Sequence, residues 1–554
     1  MARMILAMRS SAASSLIVSI APAPLLVVPV ERQVSLCARR EAAPHEANAG
    51  SRGARGENRQ RLLKVSSRRC RPIAGDAHPS GKVIPGASGS LVDIDADRIR
   101  LAVATGGHHA SHFDRAGREY PITWPVLAAL LCRFFKRRVA TVIGRRVLDS
   151  QLRVLLLTAG SRGDVEPFVS LASALREAGH AVRICVPDDP DAEYGPDHVS
   201  LGVSFSALAL AVSEVGAMRA YREHIVPAMS KILSRVVDEA TAWQPDVIVS
   251  HPKLLTVPIV AERLRIPYLT VELAPVLTAT AEFPAAGVLR RSYGPVLNRL
   301  SYRIPALGER MFATDIRAAR QRLGFARSQR VSPSAGSLIA VSPSLLARPL
   351  DWPAKAHMTG DWPRQSQPGE VLDAEVSEFL SDPAPFAYAG FGSMRGGDPA
   401  SRAEAIIEGA RKAGLRVLLA TGWGGLEPPR RCVGRDLLTV SSVPHHLVLP
   451  EASVAIHHGG AGTVHAASRA GTPSVLVPFL GDQPFWARTL QRSGLTGKPL
   501  HRDRLSSQNV RAAIADAVGR QTAVHSVAER MWTEDGLGVA VAEIVRVAVG
   551  GTRR

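Results

Sequence analysis

The chain has 554 residues, of which 46% are hydrophobic and 21% charged. This length corresponds to about two or three domains, and the composition excludes collagen-like and wholly disordered chains. The net charge of +19 is unevenly distributed, because residues 1–150 carry 24 Lys and Arg against 11 Asp and Glu. The total charge is therefore a weak argument for a nucleic-acid partner, and we expect no such partner.

Residues 1–150 are typical of a basic extension. Arginines crowd residues 52–71 among Gly and Ser, and such a segment cannot bury enough surface to offset its ordering entropy. Residues 122–135 are apolar, too short to span a membrane, and followed by three basic residues, which makes them a candidate interfacial segment with peripheral membrane contact. We expect residues 1–150 to be disordered or to lie upstream of the mature protein.

An alternating series of strands and helices begins at residue 151. Residues 153–158 are almost wholly apolar, as expected for a strand covered on both faces. A glycine-containing loop, a helix over 165–178 and a strand over 181–186 complete a βαβ unit with a right-handed crossover. Further strands are predicted at residues 246–250 and 268–271.

Residues 349–370 contain four prolines and two Asp-Trp-Pro triplets, which is typical of an interdomain linker. A second series of strands is predicted at 386–391, 416–421, 454–457 and 474–477, with helices at 401–412, 463–470, 484–493, 507–518 and about 524–549. The sequence therefore predicts two facing Rossmann-like, doubly wound α/β domains. We place the N-terminal domain at 151–350, the linker at 351–385 and the C-terminal domain at 386–554.

Ligands of open α/β sheets bind at the carboxyl ends of the strands, so the loops there are the candidate sites. The first loop, residues 160–167, lacks the GxGxxG spacing of dinucleotide-binding proteins. Asp164 lies where this loop becomes a helix. It is either a helix cap or a carboxylate at the mouth of a cleft that can accept a proton.

The second loop, residues 456–463, opens another helix and is rich in glycine. Gly460 and Gly462 let backbone N–H groups approach a ligand, and the helix N-terminus adds partial positive charge, so a phosphate site is predicted. His458 and Thr463 offer further donors. His457 points to the opposite face of the strand, and we interpret it as structural.

Two more loops end strands of the second domain. In residues 477–484, Asp482 and Gln483 place an acceptor beside a mixed donor and acceptor, which suits vicinal sugar hydroxyls, although Asp482 is also a candidate helix cap. The loop at 390–394, which contains Ser393, offers further backbone N–H groups. No acidic DxD motif lies near these loops, and the five cysteines are scattered without a CxxC pair, so we expect no essential metal and a reducing, cytoplasmic location.

Taken together, these loops resemble the nucleotide-sugar-dependent glycosyltransferases of the GT-B type, and most closely the bacterial antibiotic and sterol glucosyltransferases. Residues 443–486 look like the donor signature of that family, and residues 160–167 look like its acceptor loop. The first Asp-Trp-Pro triplet and residues 390–394 fit the sterol-type subgroup. The resemblance covers roughly residues 151–540 and leaves residues 1–150 out.

The resemblance implies a role for each matching position. The diphosphate of the donor would be held by His458, Gly460, Gly462 and Thr463, and Ser393 would lie near it. Asp482 and Gln483 would bind the sugar, and Asp164 would be the catalytic base. Ser442 and Ala466 depart from the tryptophan and glutamate of plant relatives, so the base contact is assigned to the Val443 backbone, and the choice between UDP and dTDP stays open.

The resemblance thus implies an inverting transferase that moves a hexose from a UDP- or dTDP-sugar to a hydroxyl of a lipophilic acceptor, without a cofactor. The apolar stretches 201–221 and 271–289 would line the acceptor half of the cleft, although core packing explains the same composition. Two alternatives remain at this point: a nucleotide-sugar epimerase of the same fold, and a non-catalytic nucleotide-sugar binding protein.

Overall fold

The computed structural model describes residues 151–189, 198–213, 217–326, 328–364, 370–394 and 397–551, and six short strands before them. Those strands are β1 Ser15–Val18, β2 Leu26–Pro29, β3 Gly89–Ile94, β4 Ile99–Ala104, β5 Ala110–Phe113 and β6 Glu119–Ile122. Strands β1 and β2 pair antiparallel, and β3 to β6 form an antiparallel sheet in chain order. The rest of residues 1–150 lies outside the described residues, and with it the predictions of disorder and of an interfacial segment at 122–135.

A seven-stranded parallel sheet forms the core of the first domain. Its strands are β7 Arg153–Leu157, β8 Ala181–Val186, β9 His198–Ser200, β10 Val247–Ser250, β11 Tyr268–Glu272, β12 Gly336–Ile339 and β13 Ala356–Met358, in the spatial order β13-β12-β11-β10-β7-β8-β9. Its helices are α1 Arg162–Glu177, α2 Phe205–Ser213, α3 Ala217–Ala220, α4 Val226–Trp243, α5 Val257–Leu264, α6 Pro295–Ser301, α7 Arg303–Gly308 and α8 Ala313–Arg322. Strand β10 is buried along its whole length because helices cover both faces of the sheet.

The second domain repeats this architecture around a five-stranded parallel sheet. Its strands are β14 Phe386–Gly390, β15 Arg416–Ala420, β16 Leu437–Val440, β17 Val454–His457 and β18 Ser474–Leu476, in the order β16-β15-β14-β17-β18. Its helices are α9 Ala374–Ser381, α10 Pro399–Lys412, α11 His445–Val448, α12 Ala461–Ala470, α13 Gln483–Arg492, α14 Ser507–Val518, α15 Gln521–Trp532 and α16 Gly536–Gly551. The two parallel α/β sheets confirm the predicted fold class.

The structure differs from the predicted domain boundaries at the linker and at the C-terminal helix. Strand β13 lies inside the predicted linker but pairs with β12 of the first sheet. The predicted helix at 524–549 is two helices, and the second of them, α16, packs into the core of the first domain through residues such as Leu537 and Ile544. Trp362 joins the same core, with its ring 6.3 Å from that of Phe168. The apolar stripe of α16 covers a sheet face that would otherwise meet water.

Buried polar contacts tie α12 to the first domain and the linker. The backbone N–H of Ser342 donates to His465 Nε2 at 3.2 Å, and Arg469 Nε donates to Asp361 at 3.0 Å. Because α12 begins at the predicted phosphate loop, these contacts fix that loop relative to the first sheet. In the part of the chain that the structure describes, no helix combines the length and apolar character needed to cross a lipid bilayer.

Candidate active site

The first side of the candidate site is the loop from β7 to α1. The backbone N–H of Ser161 donates to Asp164 Oδ2 at 3.0 Å, and Thr158 Oγ1 donates to the Asp164 carbonyl at 2.8 Å. Gly160 has φ +147°, and a Cβ there would lie 2.0 Å from Asp164 Oδ2. Ser161 is the N-cap of α1, and Asp164 completes a capping box from the third helical position, so Asp164 is a capping residue without being the N-cap. Its position depends on a glycine at 160.

Two basic side chains that follow β10 also contact the Asp164 carboxylate. Lys253 Nζ lies 3.1 Å and His251 Nε2 lies 3.3 Å from Asp164 Oδ1. Burial alone would raise the pKa of Asp164, but the Lys253 charge and the His251 hydrogen bond outweigh it and hold that pKa well below its usual range. Asp164 is therefore ionised at neutral pH and is held by more than a capping interaction.

The protonation of His251 follows from its partners. Its Nδ1 accepts the backbone N–H of Lys253 at 3.2 Å, so Nε2 carries the proton and donates to Asp164. Burial, followed by the Lys253 charge, lowers the pKa of His251 below its ordinary value. His251 is therefore a neutral donor that orients the Asp164 carboxylate.

We expect Gly160→Ala to reduce turnover sharply, because the new methyl group would displace the Asp164 carboxylate. Gly179→Ala is the matched control: Gly179 also has positive φ, at +90°, but no atom lies near its Cβ position. Both variants should lose stability in thermal unfolding because of the positive φ, Gly160→Ala more so because it also displaces the Asp164 carboxylate, and only Gly160→Ala should lose kcat. Equal kcat values for the two variants would contradict a functional role for the position of Asp164.

The second side of the site is the loop from β17 to α12. Gly459 has φ +86°, and the chain then enters α12 with Gly460 as the N-cap. The first N–H groups of a helix have no acceptor inside it. One of them, that of Ala461, donates to Asp482 Oδ2 at 3.2 Å, and Trp486 Nε1 donates to the same oxygen at 3.0 Å. Asp482 thus caps α12 from a neighbouring loop.

His458 lies against this helix start. Its Nδ1 is buried and has no hydrogen-bond partner among the described residues. A Cβ at Gly460 would lie 2.6 Å from His458 Nε2, and one at Gly392 would lie 3.5 Å from Cε1, so both glycines make room for the ring. Burial, with the charge of His445 adding to it and a hydrogen bond to the Gly390 backbone opposing it, lowers the pKa of His458 to about 4. His458 is therefore a neutral imidazole with an unpaired polar atom beside a helix N-terminus.

His457 has a different environment, in agreement with its interpretation as structural. It is fully buried, with Nε2 3.1 Å from Ser474 Oγ and Nδ1 accepting the Gly459 N–H at 3.2 Å. Both ring nitrogens are therefore used inside the sheet and loop. Burial lowers the pKa of His457 well below its usual value.

Asp482 and Gln483, which were predicted to bind the sugar, have different surroundings in the structure. Gln483 is buried, and its Oε1 accepts the backbone N–H groups of Phe479 and Leu480 at 2.7 and 3.0 Å. Its Nε2 donates to Met394 Sδ at 3.1 Å, so both ends of the amide have protein partners. Asp482 lies beside it at the start of α13. The assignment of both residues to the sugar stays a prediction.

Burial raises the pKa of Asp482 to about 6, and the negative charge of Asp164 contributes to the rise. A raised carboxyl pKa means that the folded state holds the proton more tightly, so stability falls as pH rises from about 4 to 6. We expect Asp482→Asn to gain unfolding temperature relative to the wild type as pH rises from 4 to 7. Asp373→Asn, at an exposed aspartate, should show no such trend. A difference that is constant with pH would contradict this.

The remaining predicted residues surround these two loops. Ser393 and Thr463 are half-buried, in the loop after β14 and in the first turn of α12. Val443 is 3% exposed and packs in an apolar cluster. Ser442 is exposed and Ala466 is half-buried. Their roles also stay predictions.

The two sides of the site face each other. Helix α1 packs against α12, and the Asp164 charge acts on the Asp482 carboxyl. The charges of Glu166 and Arg162 on α1 likewise act on His445, which precedes the donor loop along the chain. The structure thus brings two helix N-termini together, one with an ionised carboxylate and the other with glycines and a neutral imidazole.

Sequence reasoning missed His251 and Lys253. A signal existed: His251 directly follows the predicted strand at 246–250. Strand β10 pairs in parallel with β7, with Ser250 opposite Leu157, so residues after both strands meet at one edge of the sheet. Among the described residues, no group of three or more His, Cys, Asp or Glu side chains is placed to hold a metal ion.

Two family models match the chain. The Glycosyltransferase family 28 N-terminal domain matches residues 154–284, and the Erythromycin biosynthesis protein CIII-like C-terminal domain matches residues 428–549. Their matches include the acceptor-side and donor-side loops, respectively. The first model covers strands β7 to β11 of the first sheet, and the second covers strands β16 to β18 of the second sheet.

Curated relatives and a solved structure agree with these models. The O-mycaminosyltylonolide 6-deoxyallosyltransferase of Streptomyces fradiae is 32% identical over 66% of this chain and 90% of its own length. A sterol 3-beta-glucosyltransferase of Arabidopsis thaliana is 28% identical over 70% of this chain and 64% of its own length. The glycosyltransferase SnogD of Streptomyces nogalater shares the fold, with a TM-score of 0.52 at 20% identity, covering 72% of this chain and all of that one.

These matches confirm the resemblance seen in the loops and the enzyme class that it implies. The two models match a part of each α/β domain, and the Streptomyces fradiae relative, 32% identical, is covered over 90% of its length. The chain therefore belongs to the nucleotide-sugar-dependent glycosyltransferases of the GT-B type, in the group that contains antibiotic and sterol glycosyltransferases.

Proposed function

We propose that this enzyme transfers a hexose from a UDP- or dTDP-sugar to a hydroxyl of a lipophilic acceptor such as a sterol, polyketide or glycolipid, with inversion at the anomeric carbon. The observation that carries the proposal is the convergence of two helix N-termini with opposite character. Asp164 at the start of α1 is anionic, and the start of α12 offers N–H groups and the unpaired Nδ1 of His458. The first suits a hydroxyl donor and the second an anionic diphosphate.

In this proposal Asp164 accepts the proton of the acceptor hydroxyl as its oxygen attacks the anomeric carbon. A carboxylate has about four lone-pair positions, and the Ser161 N–H, His251 and Lys253 take three of them. The fourth has only the long contact of the Ser161 hydroxyl at 3.5 Å, which the acceptor hydroxyl would replace. The depressed pKa of Asp164 makes it a weak base toward an alcohol, so proton transfer must be late and concerted with bond formation. His251 and Lys253 are positioning residues that fix the carboxylate.

The larger contribution to the rate is assigned to charge stabilisation on the leaving diphosphate. The N–H groups of Gly462 and Thr463 lie in the first turn of α12, where the helix dipole favours negative charge. His458, neutral at pH 7, donates one N–H, and a ligand oxygen there relieves the cost of its unpaired buried atom. Gly460 lets the ring sit against the helix start. We further propose that the reaction needs no metal.

The proposed acceptor wall is a part of the stretch 271–289. Phe283 and Ala286 of this stretch are core residues, whereas Leu277 is 40% exposed. The buried Glu272 carboxylate accepts the N–H groups of Leu277 and Thr278 at 2.8 and 3.1 Å, which fixes this turn. We assign the acceptor contact to the turn at 276–278.

The test is incubation of the full chain with UDP- and dTDP-hexoses and a panel of sterols, macrolide aglycones and lipid extracts, read by mass spectrometry. Transfer that persists in EDTA, with an inverted anomeric configuration in the product by NMR, supports the proposal. Transfer with retained configuration, or loss of transfer in EDTA that a metal restores, would overturn the mechanism. A donor sugar that changes without any acceptor would point to an epimerase instead.

A further inference from the structure

A row of apolar side chains lies on the outside of α6, of α7 and of the 3-10 turn Glu309–Phe312 that follows. Five of them, between 43% and 70% exposed, are Val296, Leu297, Leu300, Ile304 and Met311. Val296, Leu300 and Ile304 recur every four residues, the spacing that places side chains on one face of a helix. We call these five side chains the apolar ridge.

The opposite face of α6 is polar and buried, the reverse of an ordinary surface helix. Asn298 is 1% exposed, and its Nδ2 donates to the Ala281 carbonyl at 2.8 Å and to Ser292 Oγ at 2.9 Å. Ser301 is 2% exposed and accepts the Ala285 N–H at 2.8 Å. These bonds fix the rotation of α6, so the apolar side chains stay on the outside.

Arginines surround the apolar ridge. Residues 287–312 contain five arginines, one acidic residue, Glu309, and no lysine. Arg299 pairs with Asp351 at 2.8 Å. The other four are exposed and are Arg290, Arg291, Arg303 and Arg310. Apolar side chains bordered by cations suit an anionic bilayer, which offers an apolar interior beneath negatively charged headgroups. A second copy of this chain fits less well, because its arginines would face the arginines of the first copy.

The apolar ridge begins beside the candidate active site. Gly287 has φ +82°, and a Cβ there would lie 3.0 Å from the carbonyl carbon of Gly481 in the loop before Asp482. Arg488 donates to the carbonyl of Leu289 at 3.4 Å. The ridge therefore continues from a segment that contacts the loop at 477–484 and helix α13.

We propose that the apolar ridge docks this protein on an anionic lipid bilayer, with its apolar side chains in the headgroup region and its arginines on lipid phosphates. The docking itself does not depend on the reaction. Its use does rest on the proposed function: a lipophilic acceptor in the bilayer would reach the cleft beside the ridge without passing through water.

The test is co-sedimentation of the full chain with vesicles of phosphatidylcholine alone or with 30% phosphatidylglycerol added. Val296→Glu is compared with Val433→Glu, because Val296 and Val433 are 70% and 74% exposed and only the first lies on the ridge. We expect the wild type to bind the anionic vesicles more strongly, Val296→Glu to lose at least about tenfold in partitioning, and Val433→Glu to bind as the wild type does. Circular dichroism shows whether each variant is folded.

Three results would overturn the proposal. The first is wild-type protein that stays in the supernatant with both kinds of vesicle. The second is equal binding of Val296→Glu and the wild type, which would assign lipid binding to another part of the chain. The third is a wild-type dimer in sedimentation velocity that Val296→Glu dissociates, which would make a second copy the occupant. No turnover is measured, so these results are independent of the proposed reaction.

Discussion

Asp164→Asn should lower kcat by about 10²–10⁴-fold and leave donor binding nearly unchanged. The amide keeps the shape of the side chain and one acceptor oxygen, but it cannot take up the acceptor proton. It also removes the counter-charge of Lys253, which lies 3.1 Å from the carboxylate. Donor affinity should persist because the residues assigned to the diphosphate lie in the other domain. Steady-state kinetics and calorimetric titration with UDP and dTDP measure the two effects separately.

Asp398→Asn is the control for the capping role of Asp164. Asp398 caps α10 and accepts the N–H groups of Ala400 and Ser401, both at 3.0 Å, and no role in the reaction is assigned to it. Asparagine is about as good an N-cap as aspartate, so little stability should be lost. A kcat of Asp164→Asn equal to that of Asp398→Asn would remove Asp164 from the reaction.

His458→Ala should weaken donor binding and lower kcat together, the latter by about 10²–10³-fold, because it removes a preorganised donor from the position where charge develops. The unpaired Nδ1 indicates that the ring is held in a costly environment that a ligand would satisfy. His458→Gln keeps an N–H donor and should recover part of the loss. Titration with the nucleoside diphosphate and kinetics with a saturating acceptor measure both effects.

His457→Ala is the matched comparison because it removes an imidazole from the same loop. His457 is fully buried and bonds Ser474 and the Gly459 N–H, so its loss should lower the unfolding temperature more and the donor affinity less than His458→Ala. The reverse order would exchange the roles of the two histidines.

The sequence predicted inner strands better than edge strands. Strand β17 has the predicted bounds, residues 454–457, because a strand covered on both faces must be apolar throughout. Strands β9, β13 and β16 were missed, and each lies at an edge of its sheet, where part of the strand is exposed and polar residues are tolerated. The inner strand β12 was also missed, since it is only four residues long and begins with Gly336.

The sequence could predict those site residues that directly follow a predicted strand. It could not predict residues that reach the site only because two strands are neighbours in the sheet. The loops carrying Asp164 and His458 follow predicted strands and were found for that reason. His251 required the knowledge that β10 lies next to β7. The contact of Gln483 with Met394 joins two loops far apart in the chain, so no local pattern reveals that the Gln483 amide is engaged.

Helix α16 has a consequence for how the protein is made. Its last residues, such as Ile544 and Val547, complete the core around Phe168, which is translated several hundred codons earlier. The core of the first domain therefore stays incomplete until α16 has been synthesised, and an apolar groove on that domain is exposed until then. If the two domains were expressed as separate chains, the first domain would lack α16 and its apolar groove would stay exposed to solvent.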